Sequence, residues 1–278
     1  MFRSAERTLA SIEKLKARPA SFRPPAALDK TVIVSRRAGT AWPIFDVSPR
    51  DNEPTRRVLL LHGGCYVFEI DPLHWRFAAR LAVESNARVT VLIMPLAPLG
   101  TASQIVPAVA DLAAALVDDV GAANVTIFGD SSGGGMALAV AMVLRNRGVP
   151  PLGLIALSSP WLDISGTDPR LAEIDPHDPW LAVPGTHAAG ALYRGELSED
   201  DPLVSPIHGS LSGLGRVVMF SGTRDILNAD AKRFLRRAES AGLDLDYHEA
   251  PGMIHNYPIL PMPEGDAARK VIVEAMLR

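Results

Sequence analysis

An apolar, β-branched run that passes directly into a glycine-rich turn and a helical stretch places the strongest constraint on how this chain folds. Residues 125–128 read Val-Thr-Ile-Phe, three glycines occupy 133–135, and helix-forming residues dominate 136–144. Such a sequence predicts a buried strand, a tight turn and a helix. Ser131 falls at the apex of the turn, where its hydroxyl would stand at the positive N-terminal end of the helix.

The glycines around Ser131 follow the spacing Gly129-x-Ser131-x-Gly133, which is typical of a nucleophile elbow. Small residues at these two positions relieve the crowding that a sharp turn creates. A Gly/Ser-rich turn before an ordinary helix is the simpler alternative. A phosphate-binding loop fits less well, because no Lys-Ser or Lys-Thr pair follows the glycines. Ser132 is the rival nucleophile, but centring the pattern on it would put Asp130 at the first glycine position.

Short apolar strands alternate with helical segments along the chain, which favours an α/β fold with a mostly parallel central sheet flanked by helices on both faces. We expect strands near 31–35, 57–61, 89–94, 125–128, 152–157, 217–220 and 243–249. Helices are expected near 72–86, 104–120, 228–241 and 264–277. The 278 residues are compatible with a single domain, 1–278. A lid is expected from about residues 1–30 and from an insertion at about 161–210, which contains a helix near 183–194.

Composition excludes several classes of function. The net charge is −3 without any basic block, so nucleic acid is not an expected partner. Cys65 is the only cysteine, so no disulfide within the chain and no thiolate zinc cluster can form. The histidines show no metal-ligand spacing, and we expect neither a metal nor a cofactor. No apolar run is long enough to span a bilayer, and residues 1–18 lack a signal-peptide core, so a cytoplasmic protein without stable membrane insertion is expected.

Four candidate functional segments follow predicted strands, and in an open parallel sheet such segments meet at the carboxyl ends of the strands. They are the loop 62–65, Ser131, Asp225 and His255. The order Ser, Asp, His is the one expected for α/β-hydrolases. Asp230, Asp244 and Asp246 are alternative acids, although Asp230 falls where the first turn of a helix is expected.

Several motifs together resemble the hormone-sensitive-lipase-like branch of α/β-hydrolases, the bacterial family IV carboxylesterases. Residues 62–65, His-Gly-Gly-Cys, are similar to the family's His-Gly-Gly-Gly loop. Residues 129–134 resemble its Gly-Asp-Ser-Ala-Gly-Gly block, and residues 225–230 match its Asp-x-Leu-x-x-Asp. The segment 201–206 also has a counterpart in the family. The resemblance extends from about Arg57 to the C-terminus.

The resemblance implies a serine carboxylesterase that hydrolyses short- to medium-chain esters through an acyl-enzyme. Its triad would be Ser131 as nucleophile, His255 as base and Asp225 as the acid that orients the base. The oxyanion hole would be formed by the loop and the elbow, at Gly63, Gly64, Cys65 and Ser132. In this arrangement Gly63 shapes the loop and the other three residues supply backbone N–H donors.

Other functions are compatible with the same triad. A lactone, carbamate or N-formyl amide would need the same nucleophile and base. A small-molecule receptor that binds without turnover is a further alternative, and the retained His255 argues against it. The expected partner is a small-molecule ester, and the sequence leaves the oligomeric state open.

Two positions depart from the family pattern. Cys65 replaces the third glycine of the loop. A main-chain donor survives a change of side chain, so cysteine can replace glycine here if residue 65 has a negative φ. The family's Asp-Tyr-Arg-Leu-Ala-Pro-Glu segment is Ile-Met-Pro-Leu-Ala-Pro-Leu at 93–99. The second change removes charges near the predicted lid. His62 is expected to orient the loop rather than to transfer protons.

Overall fold

A computed structural model describes residues 2–17 and 20–278 of the chain. Residues 1, 18 and 19, which fall within the predicted lid segment 1–30, lie outside the described residues. No helix within the described ranges is both long and apolar enough to cross a membrane.

The described residues form one sheet of eight strands in the order β1-β2-β4-β3-β5-β6-β7-β8. The strands are β1 Val32–Arg36, β2 Ile44–Pro49, β3 Arg56–Leu61, β4 Ala87–Leu92, β5 Val125–Asp130, β6 Leu154–Ser158, β7 Val217–Arg224 and β8 Leu245–Ile254. Strand β2 pairs antiparallel with β1 and β4, and all other neighbours are parallel. The predicted α/β class with a mostly parallel sheet is confirmed.

Helices cover both faces of this sheet. They are α1 Ala5–Lys16, α2 Pro72–Ser85, α3 Ala102–Val120, α4 Ser132–Asn146, α5 Leu171–Ile174, α6 Val183–Arg194, α7 Asn228–Ala241 and α8 Pro263–Leu277. Alternate residues of a strand face opposite sides, so Val58 and Leu60 pack with α2 and α8 whereas Leu59 and Leu61 pack with α3 and α4. The continuous apolar run of β3 therefore fills two cores.

Two strands differ from the expectation. No strand was predicted where β2 lies. The reason is that Asp46 interrupts the apolar pattern of this segment. The carboxylate of Asp46 accepts hydrogen bonds from Arg37 at 2.8 Å and from the Thr90 hydroxyl at 2.8 Å, so the strand tolerates the charge. Strand β8 continues five residues beyond the predicted end at 249 and pairs with the end of β7 through an irregularity near Gly222.

The N-terminal segment packs on the insertion between β6 and β7. A side chain at Gly185 of α6 would lie 2.5 Å from the Cα of Phe2, so the two segments are in close contact. The Arg3 guanidinium donates to the backbone oxygen of Asp175 at 2.8 Å and also to that of Asp178. The predicted helix near 183–194 is confirmed as α6, and the insertion also contains the short helix α5.

Candidate active site

Ser131 stands at the junction between β5 and α4, in a backbone conformation that few residues adopt. Its φ is 54° and its ψ is −123°, and positive φ at a non-glycine residue stores strain of order 1–3 kcal/mol. The turn is held by hydrogen bonds from Ser131 N–H to the Ser158 carbonyl and from Trp161 N–H to the Ser131 carbonyl, both at 2.9 Å. The strain is therefore fixed by neighbouring strands and loops.

The glycines on either side of Ser131 are required by close backbone contacts. A Cβ at Gly129 would lie 2.1 Å from the Gly133 carbonyl oxygen, and a Cβ at Gly133 would lie 2.0 Å from the Leu61 carbonyl oxygen. Any side chain at either position would displace backbone. The elbow thus fits directly against the end of β3.

His255 and Asp225 form a buried hydrogen-bonded pair. The Nδ1 atom of His255 lies 2.9 Å from Oδ2 of Asp225, and both residues are almost inaccessible to solvent. Burial lowers the pKa of His255, but the charge and the hydrogen bond of Asp225 outweigh it, and the pKa is raised above 6.5. Asp225 is itself fixed by Leu227 N–H, which donates to its Oδ1 at 2.9 Å.

Sheet topology brings these groups to one edge. Ser131, Asp225 and His255 follow the carboxyl ends of β5, β7 and β8, with β6 between β5 and β7. Asp130, next to the serine, and Asn256, next to the histidine, are hydrogen-bonded to each other. Asn256 Nδ2 donates to Asp130 Oδ2 at 2.7 Å. The three predicted triad residues therefore lie in one cluster of loops.

The loop after β3 lies against the elbow. A Cβ at Gly63 would be 2.9 Å from the Cβ of Ser131, and Gly63 N–H donates to Asp130 Oδ1 at 3.0 Å. Tyr66 N–H donates to the Ser132 hydroxyl at 3.2 Å. Among the hydrogen bonds of residues 2–17 and 20–278, none is donated by the N–H of Gly64 or Cys65. The N–H of Ser132, the first residue of α4, also has no acceptor, because the first N–H groups of a helix have no partner within it.

Cys65 does not have the negative φ that the sequence argument required. Its φ is 52° and that of Tyr66 is 64°, so both adopt the left-handed conformation that costs a non-glycine residue about 1–2 kcal/mol. The packing contacts of the loop compensate for this conformational cost. Burial and the nearby charge of Asp225 raise the pKa of the Cys65 thiol to about 12, which leaves the thiol protonated at neutral pH and a poor nucleophile.

Asp130 joins three parts of the site. Besides the bonds from Gly63 and Asn256, its Oδ2 lies 3.2 Å from Nε2 of His74 in α2. Burial lowers the pKa of His74, but Asp130 and Asp71 outweigh it and raise the pKa to about 10. Burial likewise opposes ionisation of Asp130, and the charge of His74 outweighs it and lowers the pKa. The two side chains therefore form a buried ion pair at neutral pH.

The protonated state of His74 also decides the role of its second nitrogen. Nδ1 lies 3.2 Å from the backbone nitrogen of Asp71 and 3.1 Å from the carboxylate of the same residue. In a neutral ring, Nδ1 would accept a hydrogen bond from the backbone N–H of Asp71. In a protonated ring, Nδ1–H donates a hydrogen bond to the Asp71 carboxylate. With a pKa of about 10 the second arrangement holds.

The insertion contributes two residues that the sequence analysis did not identify. The carboxylate of Asp178 accepts hydrogen bonds at 2.8–2.9 Å from the N–H groups of Trp180, Leu181 and Ile226. Ile226 directly follows Asp225. The Trp180 ring lies edge-on to the His255 ring at a centroid distance of 6.5 Å, and Trp180 remains 45% exposed. The insertion thus contacts the residue next to Asp225 and the ring of His255.

A family model described as the α/β-hydrolase fold matches residues 58–259. The chain belongs to the α/β-hydrolase family. A triacylglycerol lipase of Mycobacterium tuberculosis is 33% identical over 204 residues, which are 73% of this chain and 42% of that protein. An esterase of Acinetobacter venetianus is 30% identical over 225 residues, which are 79% of this chain and 74% of that protein. The chain therefore spans less than half the length of the mycobacterial lipase.

Solved structures share the fold of this α/β-hydrolase along its length. A Staphylococcus aureus structure described as a proposed esterase superposes with a TM-score of 0.90 at 25% identity, covering 98% of this chain and 92% of that one. A hormone-sensitive lipase from a metagenome library gives a TM-score of 0.82 at 23% identity, covering 99% and 91%. The predicted membership of the esterase and lipase branch is confirmed by the family model and the sequence relatives.

Metal binding and a different acid were also considered from the sequence. Within residues 2–17 and 20–278, no three histidine, cysteine, aspartate or glutamate side chains are grouped so that they could hold a metal ion. Asp230, considered above as an alternative acid, lies in the first turn of α7 and accepts a hydrogen bond from Asp163 N–H at 3.2 Å.

Proposed function

We propose that this α/β-hydrolase is a serine carboxylesterase in which Ser131, His255 and Asp225 form the catalytic triad. The observation that carries the proposal is the buried 2.9 Å hydrogen bond between His255 and Asp225, at the same sheet edge as the strained Ser131 turn. A serine with a purely structural role does not require this strained backbone conformation. Strain of this kind clusters at functional sites.

The pairing of His255 assigns its ring atoms. Because Nδ1–H donates to Asp225, the lone pair is on Nε2, which can accept the Ser131 hydroxyl proton. The Oγ atom then attacks the ester carbonyl, and the protonated His255 returns the proton to the leaving alcohol. Water attacks the resulting acyl-enzyme by the reverse proton path, and the free acid leaves. Asp225 offsets the imidazolium charge in both steps.

We assign the oxyanion hole to the N–H groups of Gly64, Cys65 and Ser132, since the protein gives these donors no acceptor. Loss of one such donor typically costs about 2.7–4 kcal/mol of transition-state stabilisation. Gly63 has a different role in this proposal, because Asp130 accepts its N–H. Gly63 fixes the loop against the elbow, where a side chain would not fit.

We further propose that the N-terminal segment and the insertion act as a lid over this site. The support is their mutual packing at Gly185 and the Arg3 hydrogen bonds to the insertion. Trp180 of the same insertion lies beside His255 and is half exposed. This places an aromatic side chain at the approach to the base, where it can contact the leaving group of an ester.

The proposed substrates are short- to medium-chain carboxylic esters. Among similar proteins, one from Streptomyces hygroscopicus that is 29% identical carries the name acetyl-hydrolase. Hydrolysis of lactones, carbamates or N-formyl amides would use the same three residues. Rates on an ester and its matched amide separate these possibilities, because an amide leaving group must be protonated before it departs.

The proposal is tested by steady-state kinetics on p-nitrophenyl butyrate. Ser131→Ala should lower kcat by roughly 10⁴–10⁶, as removal of a triad nucleophile does. Ser132→Ala is the matched control, because it removes the rival hydroxyl and only the hydrogen bond from Tyr66, worth about 1 kcal/mol. A Ser131→Ala protein that keeps more than a tenth of the activity would refute the assignment, as would a larger loss in Ser132→Ala.

A further inference from the structure

Two aromatic side chains from distant segments stack on Tyr66, the residue that follows Cys65 in the loop after β3. Trp161 lies after β6, and Tyr193 belongs to α6 of the insertion. The ring centroids of Tyr66 and Tyr193 lie 3.5 Å apart with the rings nearly parallel, and the Trp161 ring stacks on Tyr66 at 5.6 Å. All three side chains are buried. We call Tyr66, Trp161 and Tyr193 the aromatic stack.

Trp161 joins the aromatic stack to the turn of Ser131. Its backbone N–H donates to the Ser131 carbonyl at 2.9 Å, and its indole Nε1–H donates to the Asp163 carbonyl at 2.9 Å. Because both the backbone and the ring of Trp161 are hydrogen-bonded, the ring has a fixed position relative to the proposed nucleophile.

Glycines in two helices allow close packing against the aromatic stack. A Cβ at Gly135 of α4 would lie 3.1 Å from the Tyr66 hydroxyl. A Cβ at Gly190 of α6 would lie 3.4 Å from the Trp161 ring and 2.9 Å from the Cβ of Ile164. Helix α4 and the insertion helix α6 therefore both pack directly on the stack.

The backbone of the loop after β3 needs support from outside the loop. Cys65 and Tyr66 have φ values of 52° and 64°, a left-handed conformation that non-glycine residues seldom adopt. The backbone of Tyr66 is fixed on both sides, since its N–H donates to the Ser132 hydroxyl at 3.2 Å and its carbonyl accepts from Ala97 N–H at 2.9 Å. A change of φ at Cys65 would rotate the peptide group that carries its N–H, one of the proposed oxyanion donors. The direction of this donor therefore depends on the contacts that keep residues 65 and 66 left-handed.

The ring of Tyr193, and not its hydroxyl, makes the contact with Tyr66. Within residues 2–17 and 20–278 the buried Tyr193 hydroxyl has no hydrogen-bond partner, and a buried polar atom without a partner destabilises a fold. Aromatic pairs also prefer an offset or edge-on arrangement to the parallel rings of Tyr66 and Tyr193, whose centroids are only 3.5 Å apart. Neither feature favours stability. Costs of this kind are typical of positions that serve a functional site.

We propose that Tyr193 is a positioning residue for ester hydrolysis: its ring holds Tyr66, and Tyr66 in turn holds the Cys65 N–H in the direction of the oxyanion. This inference rests on the proposed function. Tyr193 lies in the predicted lid, but in this proposal it acts through the oxyanion hole and not by covering the site. Displacement of α6 would remove one ring of the aromatic stack and weaken the transition-state stabilisation that the donor provides. The stack thus couples the position of the insertion to the rate of the chemical step.

The first test removes the ring of Tyr193. Tyr193→Leu keeps an apolar side chain, and we expect kcat on p-nitrophenyl butyrate to fall at least about tenfold, since misplacement of a catalytic group by about 1 Å can cost about 100-fold. KM should change by less than about twofold, because the donor acts chiefly on charge that develops in the transition state. Each rate is divided by the number of sites that a fluorophosphonate labels, so that misfolded protein does not lower kcat.

Two control variants accompany this test. Tyr193→Phe keeps the ring and removes only the hydroxyl without a partner, so kcat should stay within about twofold of the wild-type value. His187→Ala controls for substitution on α6, because the His187 side chain is 53% exposed and lies outside the aromatic stack. A kcat in Tyr193→Leu equal to that in His187→Ala would overturn the inference, as would an equal loss of kcat in Tyr193→Phe and Tyr193→Leu.

The second test measures the oxyanion hole itself with a trifluoromethyl ketone. The Ser131 oxygen adds to the ketone carbon as its proton passes to His255, and the carbonyl electron pair leaves a negative oxygen in the oxyanion hole. In Tyr193→Leu the inhibition constant of this transition-state analogue should rise by about the same factor as kcat/KM falls. An inhibition constant in Tyr193→Leu equal to the wild-type value would overturn the inference.

Tyr66→Leu tests the same contact from the loop, and it serves alone if Tyr193→Leu does not fold. We expect kcat per labelled site to fall at least about tenfold in Tyr66→Leu. The double variant should lose less than the product of the two single losses, because both substitutions act through one contact. Unchanged kcat in Tyr66→Leu, or losses that multiply, would overturn the inference alone. A wild-type protein without Ser131-dependent hydrolysis of any ester would instead refute the proposed function.

Discussion

Asp130 connects the loop after β3, helix α2 and the loop of His255 through one carboxylate. In Asp130→Asn the amide nitrogen would face the donors of His74 and Asn256 or the N–H of Gly63, and the His74 charge would lose its buried partner and keep only the half-exposed Asp71. Breaking a buried ion pair in this way typically costs about 3–5 kcal/mol. We expect a loss of that size in the free energy of unfolding by urea, together with a lower kcat.

The matched control for this prediction is Asp111→Asn on the surface. Asp111 pairs with Arg147 at 2.8 Å, but its side chain is 73% exposed, and such pairs contribute about 0–1 kcal/mol. Equal stability losses in Asp130→Asn and Asp111→Asn would show that the buried carboxylate does not organise the site.

His255 sets the expected pH dependence of the reaction. The base must be neutral to accept a proton, so kcat/KM should rise with pH through its pKa. The charge of Asp225 raises that pKa above 6.5 despite burial, and the midpoint should therefore lie above 6.5. In Asp225→Asn the residual activity should show a lower midpoint, because the largest effect that opposes burial is lost and only the smaller ones of Asp178 and Asp130 remain. A wild-type midpoint at or below 6.5 would contradict the pairing.

At the scale of elements, the β5–turn–α4 unit was predictable because its constraints are local. The glycines at 129 and 133 are needed where the turn contacts β3, and their spacing is visible in the sequence. The loop after β3 was predictable only in part. The positive φ of Cys65 depends on how that loop packs, and the residue type gave no indication of it.

The segment from α5 to α6 makes a prediction at the same scale. Asp178→Ala leaves the buried N–H groups of Leu181 and Ile226 without an acceptor, together with the part-buried N–H of Trp180, and each buried group costs about 1–3 kcal/mol. We expect the unfolding free energy to fall by about 2–6 kcal/mol, and kcat to fall at least about tenfold because Asp225 loses its position.

Glu173→Ala is the control for this change, since Glu173 is exposed in the same insertion. Both proteins would be compared by urea denaturation and by kcat on p-nitrophenyl butyrate. If Asp178→Ala lost stability without any loss of kcat relative to Glu173→Ala, the insertion would support the fold but not the acid of the triad.

For the whole molecule, the fold class could be predicted from the alternation of apolar strands and helices. A parallel sheet that helices cover on both faces requires apolar strands, and this requirement is visible in the sequence. Strand β2 did not follow, since the partners of its Asp46 are Arg37 and Thr90, which both lie outside β2. The candidate triad followed from chain order and strand ends. Its supporting residues His74, Asp178 and Asn256 did not, because their roles arise from contacts between distant segments.

The signals for these three residues differ. His74 is the third residue of α2, which begins at Pro72 directly after Asp71, and this placement indicates a capping role but not the pair with Asp130. Asn256 is next to His255, which is a reason to examine it. Asp178 lies in an insertion without periodicity, and nothing in the sequence distinguishes it from neighbouring acids.

The central claim is that Ser131 is a nucleophile activated by His255, and covalent labelling tests it most directly. The folded protein would be treated with a fluorophosphonate and its mass measured intact, with the modified peptide then sequenced. We expect one adduct per chain, located on Ser131, and none in Ser131→Ala or after unfolding. An unlabelled native protein, or an adduct on Ser132 or Cys65, would contradict the account.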